Sequence, residues 1–91
     1  MHYIAIATFS RDSKTAQEIL LRRRNYAYPA GFKNAQSFLD VQGGRAVIKF
    51  ETDTAESIQR YTAEWPELLF DIFPVVPTEK AWEAYLGETK S

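Results

Sequence analysis

Gly43-Gly44-Arg45 is the stretch of this sequence whose residue types most resemble a phosphate-binding loop. Such a loop needs its glycines between a strand and a helix, so that N–H groups at the helix N-terminus point at the anion. Here the glycines lie between two predicted strands, and the next helix starts only after the second of them. The spacing therefore predicts a β-hairpin turn, in which glycine supplies positive φ angles. Arg45 is then a strand-edge arginine in water, although it could still reach an anion.

Proton transfer has two candidates, His2 and Glu64. His2 is the only histidine and lies near the chain end, where such a side chain is ordinarily solvated. Glu64 could act as a general acid or base only if it is buried with a raised pKa. The sequence has no cysteine, and no Ser/His/Asp set, carboxylate pair or metal-ligand spacing is recognisable in it. We therefore expect no metal and no cofactor, and we leave open whether the protein is an enzyme.

Two further features of the sequence can be explained either by a structural role or by a binding function. The run Arg22-Arg23-Arg24 could contact an anion or a nucleic acid. It also ends the first predicted helix, where positive charge stabilises the negative end of the helix dipole, and we favour that explanation. Trp65 ends the second predicted helix and is expected to anchor the core.

Apolar periodicity predicts strands at residues 2–9, 32–41, 45–51 and 70–76, and helices at about 13–25, 55–65 and 78–86. The order βαββαβ predicts an α+β, ferredoxin-like fold, with a four-stranded antiparallel sheet, two helices on one face and a short C-terminal helix. The length of 91 residues indicates one domain over 1–91, with its core at 2–77 and the last helix at about 78–86. In this plan the fourth strand is an edge strand, which can accommodate Pro74.

The strand alternation also predicts which side chains face the helices. Ala46, Ile48 and Phe50 are expected to face them, and so are Ile4 and Ile6. The open face would then carry a mostly apolar set: Tyr3, Ala5, Ala7, Phe9 and Val47.

An open face of that composition is too apolar to leave in water. A second copy of the chain is the simplest cover, and it would make a barrel-like homodimer with a pocket between the two sheets. The alternative cover is the C-terminal helix, with Trp82 and Tyr85 as anchors. We expect four residues to line the pocket: Tyr3, Phe9, Arg45 and Trp65.

Composition argues against some other partners. The net charge of −1 gives no general electrostatic attraction for nucleic acid. The third predicted strand has Arg45 and Val47 where RNA-recognition modules of this plan carry stacking aromatics. No apolar run approaches the roughly 20 residues of a membrane span. We expect a cytoplasmic protein with no nucleic-acid and no membrane partner.

The chain resembles the DUF3303 family of small, uncharacterised proteins. The resemblance is strongest over residues 63–76, AEWPELLFDIFPVV, and extends to Thr8-Phe9, Asp40-Val41, Gly43-Gly44-Arg45 and Glu51-Thr52-Asp53. It implies the dimeric α+β barrel type of ferredoxin-like fold, and it implies no activity or catalytic residue. An aromatic residue followed by histidine is expected in many members just before the Asp-Val pair, where this chain has Phe38 and Leu39.

Three hypotheses for function follow. The first is a homodimer that binds a small, partly aromatic molecule in the pocket. The second is a small enzyme of the monooxygenase or isomerase kind, in which His2, Tyr3 or Glu64 transfers protons; a buried Glu64 would favour it. The third is a structural interaction module, expected if the interior of the dimer is fully packed.

Overall fold

The computed structural model describes residues 1–87, and it confirms the predicted α+β, ferredoxin-like architecture. The strands are β1 His2–Thr8, β2 Lys33–Leu39, β3 Arg45–Glu51 and β4 Leu69–Val75, and the helices are α1 Ser13–Arg24, α2 Ala55–Ala63 and α3 Thr78–Leu86. Residues 88–91 of the predicted domain lie outside the described residues.

The four strands form one antiparallel sheet in the order β2-β3-β1-β4. The first and third strands are therefore central, as predicted, and Pro74 lies in the edge strand β4. The Gly43-Gly44 hairpin is also confirmed, because it joins β2 to β3 with φ angles of 80° and 84°. The Asp40 N–H closes the hairpin by donating to the Arg45 carbonyl at 2.9 Å.

The predicted orientation of β1 is wrong. Ala5 pairs with Ile48 and Ala7 with Ala46, and directly paired residues lie on the same face of a sheet. Tyr3, Ala5 and Ala7 therefore face the helices, whereas Ile4 and Ile6 face the open side. Both faces of β1 are apolar, so alternation separates two sets of side chains without indicating which set is covered.

A side chain caps the N-terminus of each of the core helices, α1 and α2. The Asp12 carboxylate accepts a hydrogen bond from the Thr15 N–H at 3.1 Å at the start of α1. Thr54 precedes α2, and its hydroxyl accepts from the Ser57 N–H at 3.4 Å. Such caps satisfy N–H groups that have no partner within the first helical turn.

Aromatic rings fill most of the space between α2 and the sheet. Phe50 is fully buried and stacks on Phe32 with 4.3 Å between ring centroids. Tyr61 of α2 contacts both rings and also Phe70 of β4. Further rings extend this cluster on either side: Tyr3, Tyr26, Tyr28 and Trp65.

Helix α3 buries none of its residues. Tyr85 is 86% exposed and Leu86 is 63% exposed, so Tyr85 does not anchor this helix as the alternative cover requires. Trp82 is also partly exposed. The helix is therefore not a tightly packed cover for the sheet of its own chain.

Candidate functional site

A cavity of about 130 Å³ lies between the two core helices and the sheet. It contains Phe9 and Trp65, two of the four residues that the sequence predicts for a pocket. Its walls are almost entirely apolar, and they come from the three strands β1, β2 and β3, the helices α1 and α2, and the segments that follow β1 and α2. The lining residues are Ala7, Phe9, Ile19, Leu20, Arg23, Ser37, Leu39, Ala46, Ile48, Tyr61, Trp65 and Leu68.

Small side chains on the sheet account for this space. Ala7 and Ala46 lie directly opposite each other on β1 and β3, and each presents a single methyl group to the helices. Above them, α1 contributes only one buried residue, Ile19. Small residues below and a loosely packed helix above leave a gap that the aromatic cluster borders, through Tyr61 and Trp65, but does not fill.

The cavity opens to solvent on one side. Leu20 and Leu39 both line it, and they are 43% and 48% exposed. Large apolar side chains at the mouth of an apolar cavity are typical of a ligand site, where they can cover a bound molecule. A small molecule could therefore enter without unfolding of the sheet.

Arg23 is the charged residue of the cavity lining. It lies in the last turn of α1, its Nη2 donates to the Tyr28 hydroxyl at 2.8 Å, and its guanidinium carbon lies 4.8 Å from the centre of the Tyr28 ring. Its Nε is buried and has no hydrogen-bond acceptor among the described residues. No carboxylate within residues 1–87 forms an ion pair with it.

Trp65 is the most deeply buried polar donor of the lining, with 3% of its surface exposed. Arg22 covers its ring at 4.3 Å, and the ring of Tyr26 meets it edge-on at 5.2 Å. The indole N–H lies near the Tyr26 hydroxyl and opposes part of the rise in the pKa of Tyr26, yet it lacks the geometry of a hydrogen bond and has no acceptor among the described residues. A buried donor without an acceptor costs about 1–3 kcal/mol, so the lining has two N–H groups that an acceptor would stabilise.

Glu64 does not belong to the cavity lining. Its carboxylate is exposed and accepts a hydrogen bond from the Tyr26 hydroxyl at 3.0 Å. Burial, followed by this hydrogen bond, raises the pKa of Tyr26 to about 12. A glutamate in water lacks the environment that makes a general base, so the enzyme hypothesis loses its best candidate.

Tyr3 and His2 also lie away from the cavity. Tyr3 faces the helices, stacks on Phe50 with 5.5 Å between ring centroids and donates its hydroxyl to the Met1 sulfur at 3.4 Å. His2 is exposed, and its Nε2 lies 3.6 Å from a Glu51 carboxylate oxygen. Neither side chain is placed to transfer a proton to a molecule in the cavity.

Arg45 lies on the opposite face of the sheet from the cavity. Its Nη2 donates to the Asp40 carboxylate at 2.9 Å. A hydrogen bond from the Gln42 N–H, followed by the Arg45 hydrogen bond, lowers the pKa of Asp40. Together with Ile6, Arg45 borders a shallow depression on the open face. The six residues predicted as site residues are thus divided among several places, and only Phe9 and Trp65 share one.

Sequence reasoning missed Arg23 as a site residue, although a signal for it exists. Arg23 follows Ile19 by four residues and therefore lies on the same face of α1. Ile19 is the one residue of α1 that is buried. An arginine on the apolar stripe of a helix is unusual, because charged side chains normally lie on the opposite face. The flanking Arg22 and Arg24 conceal this signal as a simple run of charge.

Metal sites and membrane-crossing helices are two further features by which a function could be recognised. Residues 1–87 contain no cluster of three or more histidine, cysteine, aspartate or glutamate side chains able to hold a metal ion. Within the same residues, no helix has the length and apolar character needed to cross a membrane.

Comparison with known proteins identifies one family. The family model described as a domain of unknown function (DUF3303) matches residues 1–88. No curated protein and no solved structure matches the chain. The match covers every strand and helix described above, and it carries no ligand, activity or partner.

Proposed function

The chain belongs to the DUF3303 family, and from this premise we propose that it is a homodimer that binds a small, largely apolar molecule in the helix–sheet cavity. The observation that carries the binding proposal is the cavity itself, which is apolar, preformed and open to solvent. Pockets with these properties are the usual sites of small-molecule binding. A pocket between the sheets of two subunits, the location predicted from the sequence, stays a prediction, as does a cytoplasmic location.

The composition of the open face supports the homodimer. The strand register places apolar side chains along the middle of this face, from the edge strand β2 across to β4. Phe38 on β2 is 57% exposed, and Leu69 on β4 is 75% exposed. The apolar residues of this face are Ile4, Ile6, Phe38, Val47, Leu69, Phe73 and Val75. Because contiguous apolar surfaces are common at protein interfaces, this composition supports the proposed homodimer.

The surface area of the chain supports the same proposal. The chain exposes 6697 Å², about 1300 Å² more than the roughly 5400 Å² typical of a folded monomer of its mass. In a stable complex each partner buries about 800 Å² or more. The excess is therefore large enough to be buried in such a complex, which supports a second copy.

The charges at the margins of the open face fit a second copy. Lys49 of β3 and Asp71 of β4 lie on either side of the apolar centre formed by β1. A two-fold axis that runs along the strands, midway between two facing sheets, places β3 of one copy over β4 of the other. Lys49 of each copy then lies over the strand of the partner that carries Asp71. The attraction between these opposite charges favours the two-fold arrangement of the sheets.

Native mass spectrometry of the protein as purified, together with thermal unfolding in the presence of toluene, tests both parts of the proposal. We expect a dimer, and we expect toluene to raise the melting temperature because it binds only the folded state. Extra mass on the dimer would point directly to a ligand. A monomer at micromolar concentrations would contradict the homodimer, and a melting temperature insensitive to toluene would contradict the binding site.

A further inference from the structure

We propose that the molecule bound in the helix–sheet cavity is a monocarboxylate of about the size of benzoate, with its carboxylate on Arg23. This inference rests on the proposed function, because it specifies the chemistry of the ligand that the cavity holds. Three observations carry it: a buried guanidinium nitrogen without an acceptor, a second buried donor in the same lining, and the volume of the cavity.

The first observation is an unbalanced charge. Arg22 is paired with Glu67, and Arg45 is paired with Asp40, so each has a carboxylate partner. Arg23 has only the hydroxyl and ring of Tyr28, although it is partly buried among apolar side chains. A charge in such surroundings is normally paired, because loss of hydration is otherwise uncompensated. An anionic group in the cavity would supply the missing partner.

The second observation concerns the number and kind of donors. Arg23 and Trp65 both line the cavity, and the Arg23 Nε and the Trp65 indole N–H are enclosed donors without acceptors, which a ligand oxygen reaches through a small shift of these side chains. A carboxylate has two oxygens and one negative charge, which match one guanidinium and one additional N–H donor. A phosphate dianion carries about twice the charge and three terminal oxygens, and it would leave much of that charge unpaired against an apolar wall. The donor set therefore favours a monocarboxylate.

The third observation is the size and character of the remaining space. A cavity of about 130 Å³ is close to the volume of roughly 150 Å³ that is known to admit benzene in a protein core. Ala7, Ala46 and Ile48 form a flat apolar floor on the sheet. An aromatic ring or a short branched chain attached to the carboxylate matches this floor.

Titration with two probes of nearly equal shape tests the proposal. Benzoate carries the charge, and toluene has the same ring without it. Binding is measured by calorimetry and by the NMR shift of the Trp65 indole N–H, which is assigned with the Trp82→Phe variant. Both probes are titrated into the wild-type protein and into Arg23→Gln. Arg24→Gln is the matched control, because it removes the same charge from the neighbouring exposed position.

We expect Arg23→Gln to weaken benzoate about tenfold or more, as the loss of a charge-assisted hydrogen bond requires. Toluene affinity is expected to stay within about twofold, and Arg24→Gln is expected to leave both affinities unchanged. The Trp65 indole resonance is expected to shift more with benzoate than with toluene.

Other outcomes separate this inference from the proposed function. If toluene binds but benzoate does not, the cavity is a binding site and the carboxylate assignment is wrong. If neither probe binds, the proposed function fails as well. If Arg23→Gln does not fold, benzamide replaces the variant: a neutral probe that binds the wild-type protein as tightly as benzoate would overturn the role of charge.

Discussion

Three consecutive arginines at the end of α1 have three different environments. Arg22 stacks on Trp65 and pairs with Glu67, Arg23 contacts Tyr28 and lines the cavity, and Arg24 is exposed. The helix dipole explains why positive charge is favourable at this helix end, and it acts on all three alike. The helical rotation of about 100° per residue decides which of the three meets the core.

Gly31 is the glycine at which an added methyl group would be least tolerated. Its φ angle is 98°, and a Cβ would lie 2.7 Å from the Ser57 hydroxyl. That hydroxyl is held in place by the Ala30 carbonyl, to which it donates at 3.0 Å. We expect Gly31→Ala to lower the free energy of unfolding by about 1–3 kcal/mol, from backbone strain and this clash together. Urea unfolding of the variant measures it.

Gly43→Ala is the control for that change. Gly43 has a similar φ angle of 80°, but a Cβ there meets nothing within 4 Å. Gly43→Ala is therefore expected to lower the free energy of unfolding through backbone strain alone, by about 1 kcal/mol or less. Equal losses in the two variants would mean that contact with Ser57 contributes nothing.

Tyr26 gives the protein a predicted sensitivity to alkaline pH. Burial and the neighbouring Glu64 raise its pKa to about 12 in the folded state, against about 10 in the unfolded chain. A raised pKa means that the stabilisation is fully present below pH 10 and is lost as the pH rises from 10 to 12. Tyr61 contributes in the same direction, because burial raises its pKa too. Urea unfolding at pH 9 and pH 11, with phenolate absorbance at 295 nm, measures the effect.

Between pH 9 and pH 11, the free energy of unfolding of the Tyr26→Phe variant is expected to fall less than that of the wild-type protein. Tyr85→Phe serves as the control, because Tyr85 is 86% exposed and its removal should leave the pH dependence unchanged. A wild-type protein whose five tyrosines all ionise in a single step near pH 10 would contradict the prediction.

At the scale of elements, the packing of α1 and the sheet decides where the cavity lies. The strands β1 and β3 supply alanines directly below α1, whereas the rings of Phe50 and Tyr61 fill the space farther along the sheet. A cavity in this position predicts that a larger side chain on the floor is tolerated. Elsewhere on the same face the side chains are closely packed, so a larger side chain there is expected to destabilise the protein.

Ala46→Val tests this reading of the packing. Two added methyl groups would enter the cavity, and each buried methylene-sized group stabilises by about 0.8 kcal/mol. We expect the free energy of unfolding to rise by about 1 kcal/mol and toluene binding to be lost. Chemical unfolding and the toluene titration measure the two effects.

Ala5→Val is the matched control for this substitution. Ala5 faces the helices from the neighbouring strand, has no exposed surface and does not line the cavity. The same increase in volume is therefore expected to destabilise the protein by about 1–3 kcal/mol through overpacking. If both variants lost stability equally, the space beside Ala46 would not be a usable cavity.

At the scale of the whole molecule, the chain is more extended than a compact monomer. Its radius of gyration is 15.6 Å, against about 12 Å for a compact domain of this length. Helix α3, which buries none of its residues, contributes to this extension. An extended chain with an apolar open face is consistent with the proposed homodimer, in which a second copy would cover that face.

Ile6→Lys tests the proposed interface. Ile6 lies at the centre of the open face and pairs with Asp71 of β4, so a single chain can accommodate the lysine beside a carboxylate. In a dimer, a charge buried at the interface is strongly unfavourable. We expect the variant to be a folded monomer in light scattering and native mass spectrometry, with its far-UV circular dichroism unchanged.

Gln17→Lys is the control, because it adds one charge at an exposed position of α1, away from the open face. This variant is expected to remain a dimer. A dimer that survives Ile6→Lys would show that the two copies meet through another surface.

The order and type of the elements were determined by the sequence itself. Apolar periodicity, the Gly43-Gly44 turn and the helix-starting residues are local features, and local backbone preferences act on them directly. The edge position of Pro74 followed from the same pattern, because a residue without an N–H suits only certain places in a sheet. The core role of Trp65 also followed from its apolar surface.

Only the tertiary structure decided which face of β1 is covered, where the cavity lies and which arginine lines it. Two apolar faces on one strand are equivalent in the sequence, and pairing of Ala5 with Ile48 resolves them only after the sheet forms. The cavity is a mismatch of volume between Ala7 of β1, Ala46 of β3 and helix α1, which are three separate elements. Such a property belongs to the packed arrangement and not to any one segment, because it depends on how side chains of separate elements fill their shared space.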